Sequence, residues 1–486
     1  MPCTTILVGK KASYDGSTMI SRNDDGGFEA KQIKVVTPDK QPKKYHCVIS
    51  HLDIELPENP MRYTIAPSVD RKNGIWAACG INEANVGMTA TETVTTNPRV
   101  MGADPLVVYK PKEGRNGKEI PGGIGEEDLV VLVLPYIRSA REGVLRLGSL
   151  LEKYGTYEYN GIAFNDADEV WWLETIGGHH WIARKVPDER VVIMPNQFGL
   201  DNFDFEDALG EGKEHLCSAD LKTFVEENHL DLGLDGSFVP RVAFGSRADS
   251  DHVYNTPRAW YMARYFMPRT YRWDGPDADF TPESDDLPWS LVPEKKVTPE
   301  DIKYLLGSHY QGTPYDPCDP HAEHHGKYRS IGVPNSDVSI MLQIRGYMPA
   351  ELQGVEWVTM GGSAYTAFFP IYTAVKSMPK YLNDTPLTPA SGYMYWDSRL
   401  IAALLDAHYF SGLIYDERYQ NRVMNGSRKI LTESDRKFME TGDVKVLEKA
   451  NTEITDLVKK ESAKTLGDLL RNAGDHMKTR YHRGDN

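Results

Sequence analysis

Between residues 159 and 194 four short extended runs follow one another with only tight turns between them, and this pattern constrains the fold more than any other in the chain. The runs cover 159–164, 170–175, 180–185 and 191–194. Asn165-Asp166-Ala167-Asp168, Gly177-Gly178 and Pro187-Asp188 supply the turn chemistry. A β-meander of four strands is predicted. A helix is predicted just ahead of it. Ser139 with Glu142 forms a capping box, Val144, Leu147, Leu151 and Tyr154 share one face, and Gly155 stands at the C-cap. A meander mixed with helices implies stacked α and β layers, an α+β fold, and argues against a doubly wound parallel sheet.

Further extended runs lie at 75–80, 86–93, 338–345 and 355–360, with Asn82-Glu83-Ala84-Asn85 as the turn between the first two. From about Leu431 the sequence becomes polar and helical. Thr432 and Asp435 are expected to cap its first turn, and Leu447, Ala450, Ile454, Leu457 and Val458 form an apolar stripe. The chain thus divides into a main domain over 1–430 and a helical C-terminal extension over 431–486 packed on it.

Acidic residues outnumber basic ones, 70 against 55, for a formal charge of −15. Such a surface is a poor match for nucleic acid or anionic lipid. The strongest apolar run, 129–134, is far too short to span a bilayer and is followed by Pro135. Lys10 and Lys11 interrupt the only apolar stretch near the N-terminus, so no secretory pattern is present. Five cysteines, at 3, 47, 79, 217 and 318, show no paired spacing. That usage fits a reducing compartment, and a cytoplasmic location is expected.

The first 25 residues read as a hairpin with Cys3 at the head of its first strand. Ser13-Tyr14-Asp15-Gly16-Ser17 forms the turn, and Arg22, Asn23, Asp24 and Asp25 end the second strand beside Cys3. A cysteine close to the N-terminus has an unusual activation route. Once the residues ahead of it are removed, its α-amine, with a pKa of about 7.7–8.0, serves as general base. An arginine at the neighbouring strand end favours the thiolate, and a carboxylate there can hold the α-ammonium.

The opening Cys-Thr-Thr-Ile-Leu-Val-Gly-Lys-Lys-Ala-Ser, with Asp-Gly-Ser and Ser-Arg-Asn-Asp-Asp after it, resembles that of the PepD-like cysteine dipeptidases, relatives of the secernins. Gly80-Ile81-Asn82-Glu83, Gly125-Glu126-Glu127-Asp128-Leu129, Met194-Pro195-Asn196-Gln197-Phe198 and Thr256-Pro257-Arg258-Ala259-Trp260 extend the resemblance to about Pro370. It implies an N-terminal nucleophile (Ntn) hydrolase, akin to bile-salt hydrolases and penicillin V acylases, with a four-layer αββα sandwich over 1–430. It also implies Cys3 as nucleophile, Arg22 and Asp25 as the pair around it, and Asn196 as an oxyanion donor. Arg258 and Glu92 are the implied substrate-binding residues, and a second oxyanion contributor is implied within the Thr91-Glu92-Thr93 stretch, its residue left open because the acylase pattern is not kept there. In the acylases cysteine directly follows the initiator methionine. Here Pro2 intervenes, so a short propeptide, residues 1–2, is expected to be cleaved.

The implied activity is thiol-protease hydrolysis of dipeptides without cofactor or metal. Small peptides are the expected partners, to the exclusion of nucleic acid and membrane, with a homo-oligomer left open. Three alternatives keep different features. An N-acyl amide hydrolase shares the fold, a secernin-like adaptor lacks the activity, and a metallohydrolase would use His321, His324 and His325.

Overall fold

The computed structural model describes residues 3–112, 117–234 and 236–479 and is built on two large antiparallel sheets, with two small two-stranded ones beside them among the described residues. It opens with strands β1 (Cys3–Val8) and β2 (Thr18–Asp25). Strands β3 (Cys79–Ile81) and β4 (Gly87–Thr93) precede helices α1 (Glu126–Val133) and α2 (Ala140–Tyr154). Five strands follow: β5 (Asn160–Asn165), β6 (Val170–Ile176), β7 (His180–Lys185), β8 (Val191–Met194) and β9 (His215–Cys217). Then come α3 (Thr256–Phe266), β10 (Ser290–Leu291), α4 (Pro299–Leu306), β11 (Ser336–Ile344), β12 (Gly354–Met360) and β13 (Phe369–Tyr372). Three helices end the chain: α5 (Met394–Ala407), α6 (Tyr409–Thr441) and α7 (Lys445–Asp475). The first sheet has the order β10-β8-β1-β2-β11-β12-β13 and the second β9-β7-β6-β5-β4-β3. The α+β expectation with antiparallel sheets holds.

The expected four-strand meander is right for three strands and wrong for the fourth. β5, β6 and β7 pair in sequence order. β8 instead crosses to the first sheet and pairs with β1, Thr5 opposite Met194 and Val8 opposite Val191. The end of β1 captures the turn before it. Gly9 N–H bonds Arg190 O at 3.0 Å, and the N–H groups of Lys11 and Ala12 both bond Asp188 O, at 2.8 and 2.9 Å. Only glycine fits at position 9, because a Cβ there would lie 2.4 Å from Pro187 O. All four side chains of β8 are buried, so both faces of the strand are covered. The crossover delivers the residue after Pro195 to the head of β1.

Side-chain alternation divides the interior. Trp172 of β6 joins Ala163, Ile182, Ile6 and Leu342 in a core shared with the first sheet. Its neighbours Trp171 and Leu173 join Ile162, Phe164 and the predicted face of α2, Val144, Leu147 and Leu151, on the other side. The start of α2 is as expected in one half. Ser139 Oγ accepts the Glu142 N–H at 3.1 Å, but the Glu142 carboxylate takes the Arg138 N–H and not that of the cap. Gly155 closes the helix with φ of 70°.

The expected boundary at 430/431 falls inside α6. No proline interrupts 409–441, so the helix runs through. Thr432 Oγ1 bonds the Arg428 carbonyl within the helix and Asp435 pairs with Arg345, so neither caps a first turn. The α7 stripe is buried at Leu447, Ala450, Ile454 and Val458, and half-buried at Leu457. Asn451 fastens that helix to the first sheet by bonding both N–H and C=O of Tyr372, at 2.8 and 2.9 Å.

Candidate active site

The register of the opening hairpin sets the site. Cys3 lies opposite Asp24 and Thr5 opposite Arg22, which places all four on one face. Arg22 Nη2 donates to Cys3 Sγ at 2.8 Å and also reaches Asp24 at 3.2 Å and Glu126 at 2.9 Å. Lys31 Nζ neutralises the other oxygen of Asp24 at 2.8 Å. Glu126 opens α1, and nothing in its own sequence neighbourhood ties it to Arg22. The matching Gly125-Glu126-Glu127-Asp128 stretch was the one available signal. Asp25 alternates away and is held by Arg329, with Ser336 Oγ donating at 2.5 Å.

Asn196, just past β8, closes the site from the other side. Its Oδ1 accepts the Cys3 N–H at 3.2 Å and Arg258 Nη2 at 2.8 Å, while Nδ2 donates to Thr93 O at 2.8 Å. The two donors aimed at Oδ1 settle which end of the amide faces Thr93. Asn196 therefore ties the end of β4 in the second sheet to the head of β1 in the first.

Arg258 sits in the first turn of α3 and is fully buried. Nε donates to Tyr254 O at 2.6 Å. Nη1 donates to Cys3 O and to Thr4 Oγ1, the latter at 2.7 Å. Nη2 serves Asn196 and Asn255 Oδ1, each at 2.8 Å. A guanidinium has five N–H donors, and the protein uses all of them. Burial, with Arg329 close by, lowers its pKa to about 10.

The Cys3 thiol is fully buried, and burial pushes its pKa up to about 12. Arg22 favours the thiolate, as expected, but is outweighed, and Glu92, Glu126 and Asp24 add to the rise. In this form the group is a thiol and needs a base. Glu92, on β4, accepts Thr5 Oγ1 at 2.7 Å through Oε2, while its buried Oε1 has no hydrogen-bond partner among the described residues. Burial pushes this carboxyl up to about 8 against the opposing pull of Arg258, Thr5 and Arg22.

A stability prediction follows from Glu92. A carboxyl whose folded pKa is raised binds its proton more tightly in the native state than in the unfolded one. Its stabilising contribution is full below pH about 4.5 and is lost as pH rises through about 8. Glu174 and Glu356, each raised to about 7 by burial, act in the same direction. Thermal midpoints should fall between pH 5 and pH 9, and Glu92→Gln should fall less than the parent. An equal fall in both proteins would contradict the assignment.

The histidines His321, His324 and His325 are exposed in a loop and form no metal cluster among the described residues. One neighbouring group of ligand types, His309, Asp316 and Cys318, has its ligand atoms within 4.8 Å of one another, and there His309 Nδ1 bonds Asp316 at 2.7 Å.

The model of peptidase family C69 matches residues 2–422. The chain is 53% identical over 451 residues to a protein named dipeptidase from Bifidobacterium longum, covering 91% of this chain and 84% of the relative. It is 45% identical to probable dipeptidase A of Streptococcus pyogenes serotype M3 over the full length of both. Dipeptidase A of Lactobacillus helveticus is 42% identical over 99% of this chain and 98% of its own. With a family match over most of its length and relatives this close end to end, the chain belongs to peptidase family C69.

Proposed function

We propose that this protein is a dipeptidase that hydrolyses its substrate through an acyl thioester on Cys3. One observation supports the chemistry above all others: residues from three distant parts of the chain, Arg22, Asn196 and Arg258, all bond to Cys3, at its sulfur, its nitrogen and its carbonyl oxygen. The names of its relatives support the substrate class.

In this reading, removal of Met1 and Pro2 frees the Cys3 α-amine. The expected two-residue propeptide lies outside the described residues. The amine takes the thiol proton, and the thiolate attacks the scissile carbonyl carbon. One Asn196 Nδ2 hydrogen is held by Thr93 O, and the other is the proposed donor to the oxyanion. The α-ammonium passes its proton to the leaving amine as the C–N bond breaks. Water then loses a proton to the α-amine and attacks the thioester, and the acid departs as the thiol re-forms. Arg22, fixed by Asp24 and Glu126, stabilises developing charge on sulfur, and Asp25 holds the far side of the site.

Small peptides are the proposed partners and the cytoplasm the proposed compartment. No helix among the described residues is long and apolar enough to cross a membrane. The four-layer αββα sandwich is likewise proposed. Its support is the core between the two sheets and the second core under α2.

Asn196→Ala is expected to lower kcat by about 10²–10³ with a smaller change in KM, the signature of a transition-state donor. A change confined to KM would make Asn196 a substrate-binding residue. The function itself is tested by offering dipeptides, tripeptides and N-acyl amino acids to the purified protein. Turnover of dipeptides alone is expected. Preferential cleavage of acyl amino acids would favour the acylase-like alternative, and no turnover at all the adaptor.

A further inference from the structure

A dipeptide carries its carboxylate one residue beyond the bond that is cut. Covalent geometry puts that group within about 4–5 Å of the carbonyl carbon under attack. Its partner must therefore be a cation beside the Cys3 thiol, and the protein's own hydrogen bonds show which cation has donors to give.

Arg22 has a side chain 1% exposed and spends its donors on Cys3, Asp24 and Glu126. Lys31, 2% exposed, is committed to Asp24 and to Trp76 O. Arg258 is sealed and its five donors are all used. Arg329 differs. Its side chain is 12% exposed, and among the described residues its hydrogen-bond acceptors are Asp25 and Ser330 O alone. Three of its five N–H donors are left over.

We propose that Arg329 binds the C-terminal carboxylate of the substrate. The idea rests on the dipeptidase reading and deepens it. Asp25, next in sequence to the residue opposite Cys3, grips one edge of the guanidinium, and the Tyr254 ring supports its face at 5.0 Å. Arg258 lies 5.3 Å from the same ring. Although burial opposes its charge, Arg329 stays firmly cationic because Asp25, Tyr254 and Cys3 all favour the guanidinium. A planar, pre-oriented guanidinium with free donors suits a carboxylate. This arrangement also accounts for a substrate limited to two residues. A longer peptide would bring a neutral amide to Arg329 and leave those donors without an anion. Arg258 then becomes a positioning residue and not the substrate-binding one that the resemblance implied.

The test compares L-Ala-L-Ala with L-Ala-L-alaninamide in the parent, Arg329→Gln and Arg329→Lys, the last keeping a charge for Asp25. Turnover is paired with calorimetric binding of Ala-Ala in which the scissile carbonyl is reduced to methylene, and of its amide. In the parent the free acid should be favoured about 100-fold in kcat/KM and in binding. Both variants should lose that preference, with the acid's values falling far more than the amide's. Equal losses for acid and amide, or a parent that does not discriminate, would overturn the proposal. Binding of the reduced analogue needs no turnover. A parent that prefers its acid form yet fails to cleave Ala-Ala would refute the dipeptidase reading and leave the carboxylate site standing.

Discussion

Replacing Cys3 with alanine is expected to abolish dipeptide hydrolysis, with a loss of roughly 10⁴-fold or more in kcat. No other group in the site offers a nucleophile at the same place, and the flanking donors stabilise a transition state that no longer forms. The variant should still fold. Cys3 is fully buried and not merely at an exposed strand head, but the change removes a single sulfur, a deletion that costs about 1–2 kcal/mol in a packed interior. Arg22 loses one acceptor and keeps Asp24 and Glu126, so no uncompensated charge is left behind. Circular dichroism and a thermal scan check the fold, and retained turnover in a folded variant would rule out a cysteine mechanism. Cys3→Ser should show weak activity at most, since a hydroxyl is far less ionised near neutral pH.

Local pattern made the opening hairpin legible, along with α2 and the strands of the meander, because period-two alternation and turn residues act over a few positions. It could not reveal which sheet β8 joins. Strand 191–194 has the same composition wherever it pairs, and its place is decided by Asp188 O and Arg190 O bonding a turn that lies near residue 10. The resemblance implies Asn196, and the crossover explains physically why it reaches Cys3. The contacts of Glu126 and Arg329 have no local signature for the same reason. Their partners, Arg22 and Asp25, are adjacent in space and remote in sequence, and a lone arginine in a polar loop has no periodicity to betray it. The helix expected to open near Leu431 begins earlier, at Tyr409. Polar composition marks exposure and not a helix end, and Asp435 is polar because it faces Arg345.

The second large effect concerns maturation. A chain that keeps Met1 and Pro2 is expected to fold and to be inactive. The Cys3 nitrogen is then an amide whose lone pair is delocalised into the preceding carbonyl, so it cannot take a proton near neutral pH. Its N–H still bonds Asn196 Oδ1, which keeps the geometry while denying the base. With the thiol pushed up to about 12 by burial, no appreciable thiolate forms unaided. Cleavage ahead of Cys3 frees an amine whose ordinary pKa, about 7.7–8.0, suits the task. The most direct test is to determine the N-terminus of the purified protein by intact mass and sequencing, and to assay dipeptide turnover on the same preparation. Activity should follow the fraction of chains that begin at Cys3; full turnover by protein that still begins Met1-Pro2-Cys3 would contradict the N-terminal amine mechanism.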